Sequence, residues 1–340
     1  MNSSGPRAVL RAIASYLPEA LLTNEDIFAR YGEWSPEKIS AKTGISTRHV
    51  CAPDEFTSDL AVKAGENLFA LDESYKEGID QILLTTISPD YILPFTAGMV
   101  QHALGLPTTV AAFDITLGCS GYPYAITQAA AMIESGRARK VLLITSDRFT
   151  GYTEAGGQDI RTLFGDAATA SLIEAQVEGQ PPLSGGLIGA TRLGTDGSGA
   201  LNLLIPTAGM KGFLGAQKRD IQQPTVEMKG PEVFDFTLRV IPKHVKGFLA
   251  SEGLAIDDVD IWVFHQANLF MIDHLRRRLK IPDEKFVEHI AEVGNTASST
   301  IPMALQAAID AGRVKPGHRV ALLGFGVGYS WGTALLEYQG

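Results

Sequence analysis

Cysteine is scarce in this sequence, which has only Cys51 and Cys119 among its 340 residues. Two cysteines cannot form a multi-bridge framework, and such low usage suits a reducing compartment. No 18 consecutive residues are apolar, so we expect no membrane-spanning helix. The first twenty residues are interrupted by Pro6, Pro18 and Glu19 and lack the apolar core of a signal peptide. We therefore expect a cytoplasmic protein.

Positive charge is also in short supply, because 29 Lys and Arg face 38 Asp and Glu, a formal net charge of -9. No basic footprint extends over the chain, so we expect no nucleic-acid partner. The seven histidines show no HxxxH spacing and no CxxC occurs, so we predict no metal site. Hydrophobic residues nevertheless make up 45% of the chain, enough for one large core or two ordinary ones.

Short aliphatic runs alternate with longer segments of helical composition, which is typical of an α/β fold. Like runs recur at nearly constant offsets, 179 residues from Val141 to Val320 and 175 from Ala111 to Phe286. We therefore predict an internal duplication with halves 1–178 and 179–340, although any α/β chain repeats strands to some extent. The predicted strands are 81–88, 110–115, 140–146 and 169–174 in the first half, and 260–265, 286–290, 319–325 and 333–338 in the second.

Each half also has an alanine-rich, almost uncharged segment that predicts a buried helix, 122–135 and 300–311. Cys119 lies at the start of the first helix, where unpaired N–H groups and the helix dipole lower the pKa of a thiol. We interpret it as a candidate nucleophile. The alternative is that it packs as a small apolar residue, as many free cysteines do.

Two further polar residues, both in the second half, are candidates for the same site. His265 directly follows a predicted strand, where α/β folds collect reactive groups, although a lone histidine there is often a hydrogen-bonded core residue. Asn295 precedes the second buried helix and either caps it or donates its amide to a ligand. The glycine-rich run 324–332 lacks dinucleotide-binding spacing and instead allows backbone N–H groups to approach a ligand, as an oxyanion hole requires.

Four motifs together resemble the β-ketoacyl-acyl-carrier-protein synthase III family of the thiolase superfamily. They are GCSG with Cys119, HQAN with His265, GNTASSTIP with Asn295, and the terminal GFGVGYSWG, and the resemblance extends in family order from about residue 8 to 338. It implies an α/β, thiolase-like fold, five-layered αβαβα and built from two duplicated halves. It also implies a homodimer that takes acyl-CoA or acyl-carrier-protein thioesters and needs no cofactor.

The resemblance further implies a Cys-His-Asn triad. Cys119 would attack an acyl thioester to form an acyl-enzyme, and the backbone N–H groups of Cys119 and Gly328 would stabilise the oxyanion. A malonyl thioester would then lose CO₂, and His265 and Asn295 would hydrogen-bond the enolate that attacks the acyl-cysteine. The expected function is therefore a decarboxylative Claisen condensation to a β-ketoacyl product.

The residues expected to bind substrate follow the family pattern only in part. Leu93 and Phe325 would line the acyl site. Lys38 replaces a tryptophan that stacks on the adenine of coenzyme A in close relatives. Trp34, one helical turn earlier, either stacks on the adenine instead or only packs against its own segment.

The carrier-docking face departs further, since Phe270 and Asp235 replace the usual docking arginine and lysine. Ala167 and Thr169 also replace two glycines of the family pattern. These changes favour a specialised, secondary-metabolism member over the housekeeping initiator of fatty-acid synthesis. Nearby basic residues form either a patch that docks the carrier in place of the missing arginine and lysine or, as we favour, a solvated helix face. They are Lys243, Lys246, Arg276, Arg277, Arg278 and Lys280.

Two other functions remain open from the sequence. One is acyl transfer from Cys119 to an oxygen or nitrogen acceptor without condensation, and the other is a non-catalytic subunit that binds acyl thioesters. The presence of Asn295 argues for condensation, because simple acyl transfer does not need a second enolate donor. The intact triad argues against the non-catalytic subunit.

Overall fold

The computed structural model describes residues 5–215 and 224–340. Its helices are α1 (Asn24–Tyr31), α2 (Pro36–Thr43), α3 (Thr57–Leu71), α4 (Thr96–Ala103), α5 (Gly121–Glu134), α6 (Gln158–Arg161), α7 (Gly209–Gly215), α8 (Gly230–Ser251), α9 (Leu269–Leu279) and α10 (Thr300–Asp310). Its strands are β1 (Arg7–Tyr16), β2 (Ala20–Thr23), β3 (Thr47–Val50), β4 (Gln81–Thr85), β5 (Ala111–Ile115), β6 (Lys140–Asp147), β7 (Ala167–Gln176), β8 (Gly186–Thr195), β9 (Leu203–Leu204), β10 (Glu227–Met228), β11 (Ile261–Phe264), β12 (Phe286–Val287), β13 (Arg319–Gly326) and β14 (Ser330–Tyr338).

Ten strands form one continuous sheet in which two sets of five follow the same plan. The order is β12-β11-β13-β14-β8-β1-β7-β6-β4-β5, so the second set mirrors the first outward from the central β8–β1 pair. In each set the outer three strands pair in parallel and the inner two pairings are antiparallel. The two sets meet through a short antiparallel contact, Val9 with Leu187 and Leu10 with Gly186.

Helices pack on both sides of each five-stranded set, and this gives five layers. Helices α5 and α10 contact strands of both sets and form the middle layer. Buried side chains of α3 and α4 pack on the outer face of the first set, and those of α8 and α9 pack on the outer face of the second. The predicted five-layered α/β architecture is confirmed, and its middle layer brings residues at the starts of α5 and α10 together.

The predicted strands and helices agree with the structure to within a few residues at most ends. The short strands β2, β3, β9 and β10 are not predicted, and neither are two strands of the ten-stranded sheet. These are β1 and β8, the pair that joins the two sets. The sequence of β8, GLIGATRLGT, contains three glycines, which weaken the aliphatic signal on which strand prediction depends. Strand β12 is shorter than predicted, with only Phe286 and Val287 in the sheet. The division at 178/179 falls between β7 and β8 and stays a prediction.

In the described part of the chain, no helix has the length and apolar character needed to cross a membrane.

Candidate active site

Four of the predicted site residues line a single cavity of about 170 Å³. Cys119 precedes α5, His265 follows β11, Asn295 precedes α10, and Phe325 belongs to β13. The three polar residues are almost fully buried, with exposures of 8% for Cys119, 2% for His265 and 4% for Asn295. Because the loops at the starts of the two middle helices face each other, residues 176 positions apart along the chain share one cavity.

The cavity has further lining residues to which sequence reasoning gave no role. Ala267 and Asn268 belong to the HQAN motif and Gly326 to the terminal glycine-rich motif, so a signal was present for these three. The others are ordinary apolar or small residues of loops and helices, whose pattern does not distinguish a cavity wall from a core. They are Leu163, Phe164, Leu203, Met228, Gly230, Val233, Phe234, Thr237 and Met271.

Cys119 is held closely between its own helix and β13. A Cβ atom added to Gly326 would lie 2.7 Å from the Cys119 Cβ and 3.2 Å from its Sγ, and one on Gly324 would lie 2.9 Å from the Cys119 carbonyl oxygen. Burial raises the pKa of the Cys119 thiol to about 12, with a smaller contribution from the charge of Asp147. The expectation of a lowered pKa is therefore wrong for the free protein, because desolvation outweighs the hydrogen bonding that favours the thiolate.

His265 is a neutral imidazole with a fixed orientation. Burial lowers its pKa to about 3, so the ring is uncharged at neutral pH. Its Nδ1 atom lies 2.7 Å from the hydroxyl oxygen of Thr300, in the first turn of α10. The backbone N–H of His265 donates to the carbonyl of Leu323 on β13. The Nδ1 contact holds the ring and the backbone contact fixes the main chain that carries it, so the Nε2 edge is left for the cavity.

The side chain of Asn295 is fixed by two hydrogen bonds. Its Nδ2 donates to the carbonyl of Ala267 at 3.3 Å, and its Oδ1 accepts from the N–H of Ala297 at 3.0 Å. The backbone of Asn295 also bonds to Leu163 and Gly165 of the first half. Asn295 thus stabilises the turn before α10 and still has one amide N–H for a ligand.

A fully buried carboxylate, Asp147 at the end of β6, ties this turn to the first half. Its Oδ1 accepts from Thr86, Ile87 and Ser88, and its Oδ2 accepts from the N–H and hydroxyl of Ser298. Burial raises the pKa of Asp147 to about 6 despite these bonds. The sequence analysis gives no role to Asp147. The one signal for it is that it directly follows a predicted buried strand, where α/β folds collect polar functional groups.

Comparisons with known proteins agree with this geometry. The family model for 3-oxoacyl-[acyl-carrier-protein] synthase III matches residues 113–197. The separate model for the C-terminal region of that synthase matches residues 249–338. The β-ketoacyl-[acyl-carrier-protein] synthase III of Campylobacter concisus is 35% identical over 98% of both chains. A crystal structure of a 3-oxoacyl-(acyl-carrier-protein) synthase III is 40% identical with a TM-score of 0.89, covering 98% of this chain and 100% of that one. The priming β-ketosynthase of the R1128 polyketide pathway is 27% identical with a TM-score of 0.88, covering 98% and 97%.

The chain belongs to the β-ketoacyl-acyl-carrier-protein synthase III family. The predicted resemblance is confirmed, and so is the prediction of an acyltransferase that forms an acyl-cysteine and condenses it with a malonyl thioester. Enzymes of this family act on thioester substrates and need no separate cofactor. Among residues 5–215 and 224–340, no three His, Cys, Asp or Glu side chains are grouped to hold a metal ion.

The remaining predicted residues of this synthase III chain do not line the cavity. Leu93 is 85% exposed. Trp34 and Lys38 lie together at the start of α2, where the amines of Lys38 and Lys42 stand 5.4 and 4.9 Å from the indole centre. Gly328 lies in the turn between β13 and β14 with φ of 135°, a conformation that favours glycine.

The surface expected to dock a carrier is aromatic, and two of its six candidate basic residues form ion pairs. Phe270 is 57% exposed and stacks on Phe234, a cavity residue, with ring centres 5.6 Å apart. Asp235 pairs with Arg239 on the same helix. Arg276 and Arg277, two of the candidate basic residues, both pair with Asp273, and Arg276 also pairs with Asp283. These pairs tie Arg276 and Arg277 to neighbouring carboxylates, and such pairs contribute little at a surface, which favours a solvated face.

Proposed function

We propose that Cys119, His265 and Asn295 carry the two half-reactions of this synthase. In the first, the Cys119 sulfur attacks the carbonyl carbon of an acyl thioester, and the carbon–sulfur bond to the carrier breaks. The proton of the Cys119 thiol leaves with the released carrier thiol, so the acyl-enzyme is neutral. We assign the oxyanion of the tetrahedral intermediate to the backbone N–H groups of Cys119 and Gly328, the latter two residues after the cavity residue Gly326.

In the second half-reaction, a malonyl thioester loses CO₂ and leaves an enolate at its thioester carbonyl. His265 and Asn295 donate hydrogen bonds to that oxygen, which are stronger in the enolate than in the ground state. The enolate carbon attacks the acyl-cysteine, and the released Cys119 thiolate takes one proton from solvent. Neutral donors suit this step, and the observation that supports the assignment is that His265 and Asn295 share one buried cavity with Cys119.

One experiment separates condensation from simple acyl transfer and from passive binding. The protein is incubated with acyl-CoA donors and malonyl-CoA, while intact mass reports acyl-cysteine and CO₂ release reports decarboxylation. Cys119→Ala should abolish acylation, whereas Asn295→Ala should spare acylation and reduce condensation about 100-fold, the cost of removing one oxyanion donor. Equal loss of both steps in Asn295→Ala, or acylation without decarboxylation in the wild type, would contradict the assigned roles.

We assign the nucleotide end of an acyl-CoA donor to the surface formed by Trp34, Lys38 and Lys42. The Trp34 backbone is clamped by Gln158, whose side chain accepts from the Trp34 N–H and donates to its carbonyl. Gln158 begins α6, and the chain then continues to the cavity residue Leu163. An indole with two adjacent amines offers stacking for a base and positive charge for phosphates. Acyl-carrier-protein thioesters form a second donor class, and comparing acyl-CoA with acyl-carrier protein in the acylation of Cys119 distinguishes them.

A homodimer is also part of the proposed function, because Leu93 is exposed in one chain and reaches an acyl site only in a partner. Among the described residues no strand pairs with the outer edge of β5, and this edge and the exposed apolar residues near it support the assembly. We place the enzyme in the cytoplasm, where its two free thiols, Cys51 and the nucleophile Cys119, stay reduced.

A further inference from the structure

The imidazole of His265 has two tautomers, and only one of them suits the proposed condensation. A neutral imidazole carries its proton on either Nδ1 or Nε2, and the hydrogen bond made by one nitrogen decides the state of the other. Hydrogen bonding to an enolate requires a proton on the nitrogen that faces the cavity. Since Nδ1 faces Thr300, that nitrogen is Nε2.

Thr300 is the partner that decides the tautomer, and its hydroxyl has one proton to donate. Two acceptors lie within reach, Nδ1 of His265 at 2.7 Å and the carbonyl oxygen of Ala297 at 3.2 Å. If the proton goes to Ala297, Nδ1 must carry the ring proton and Nε2 is bare. If it goes to His265, Nδ1 accepts and Nε2 carries the proton. The nearer acceptor favours the second arrangement.

We propose that Thr300 is a positioning residue that donates its hydroxyl proton to Nδ1 of His265 and so holds the Nε2–H tautomer needed for condensation. This inference rests on the proposed function. Thr300 does not touch the reacting atoms and acts through His265 alone.

The surroundings of Thr300 keep it in place for this task. Its side chain is 3% exposed, and it begins α10 directly after the turn 297–299. That turn is anchored to the first half by Ser298, which bonds to Asp147, and by Ser299, whose hydroxyl lies 2.8 Å from that of Thr145. The hydroxyl of Thr300 therefore reaches His265 from a rigid element.

The first test reads the tautomer directly. Protein with ¹⁵N-labelled histidine is examined by NMR at neutral pH, and the His265 signals are assigned by their loss in His265→Gln. We expect the proton on Nε2 and a bare, hydrogen-bonded Nδ1. A proton on Nδ1 in the wild type overturns the proposal, whatever the variants do.

The second test separates the half-reactions. Thr300→Val keeps the shape and removes the hydroxyl, so we expect CO₂ release and condensation to fall about tenfold or more while Cys119 acylation changes less than about threefold. Thr300→Ser should restore condensation. The matched control is Thr127→Val in α5, where the hydroxyl bonds only a backbone carbonyl four residues back, that of Pro123; it should stay within about twofold.

Equal loss of acylation and condensation in Thr300→Val, or unchanged condensation, overturns the proposal. Failure of the proposed function looks different, since wild-type protein would then form no acyl adduct on Cys119, whereas the NMR measurement still reports the tautomer of His265.

Discussion

At the scale of single residues, the space around the Cys119 sulfur is set by Gly326 on the facing strand. An added Cβ would contact both the Cys119 Cβ and Sγ at less than normal van der Waals separation. We expect Gly326→Ala to slow acylation about 5- to 150-fold, since overpacking costs about 1–3 kcal/mol and the tetrahedral intermediate needs more room than the free thiol. Acyl-enzyme formation followed by intact mass measures the effect.

Gly189→Ala is the matched control for this substitution. Gly189 also lies in a strand of the sheet, β8, but an added Cβ would meet nothing closer than 3.4 Å, the Leu335 carbonyl oxygen. Its acylation rate should stay within about twofold of the wild type. Equal rates in the two variants would show that the space beside Cys119 does not limit the reaction.

The raised pKa of the Cys119 thiol predicts a pH dependence for the free enzyme. With a pKa of about 12, the thiolate fraction grows about tenfold for each pH unit throughout the neutral range. Alkylation of Cys119 by iodoacetamide should therefore accelerate about tenfold per unit from pH 7 to 9, because the thiolate is the nucleophile. Cys51→Ser removes the other thiol from the measurement. A plateau below pH 9 would contradict the burial argument.

At the scale of elements, the buried strands and helices were predictable because their own sequences are almost entirely apolar or small. Strand β4 and helix α5 are examples, with nearly every residue of β4 buried. Strand β1 was missed because its sequence RAVLRAIASY mixes charged with apolar residues. The residues proposed as the triad are predictable from motifs, but Thr300 and Asp147 are not, since their contacts join segments distant along the chain and local patterns do not show them.

Thr169, which stands where the family pattern has glycine, has a structural role on strand β7. Its hydroxyl lies 2.7 Å from that of Thr145, which in turn lies 2.8 Å from Ser299 of the turn before α10. Thr169→Val should lower the free energy of unfolding by about 1 kcal/mol, because Thr145 loses a buried partner. Chemical denaturation measures this change.

The control for Thr169 is Thr85→Val on β4. Its hydroxyl oxygen is buried and has no hydrogen-bond partner in the described part of the chain. Replacing an unsatisfied hydroxyl with a methyl group of the same size should leave stability unchanged or raise it. If Thr169→Val is no more destabilising than Thr85→Val, the hydroxyl chain does not stabilise the turn.

At the scale of the whole molecule, apolar exposure is concentrated at one edge. Five of the thirteen exposed large hydrophobic side chains among the described residues belong to one region: Tyr91, Ile92, Leu93, Phe95 and Phe113. Asp114 of β5 accepts from the N–H groups of Thr96 and Ala97, which fixes the start of α4, directly after the exposed residues, beside the edge strand. An open strand edge next to exposed apolar residues is the arrangement that a second copy would cover.

We therefore expect a mass of about 73 kDa by light scattering, twice the 36.4 kDa of one chain. Phe113→Lys should give monomers, because it places a charge on the strand that would pair, whereas Leu71→Lys, at an exposed residue ending α3, should stay dimeric. Leu93→Ala should keep the dimer and admit longer acyl chains, while Ile92→Ala, equally exposed, should leave chain-length preference unchanged. A monomeric wild type would remove Leu93 from the acyl site altogether, since its own chain holds it in solvent.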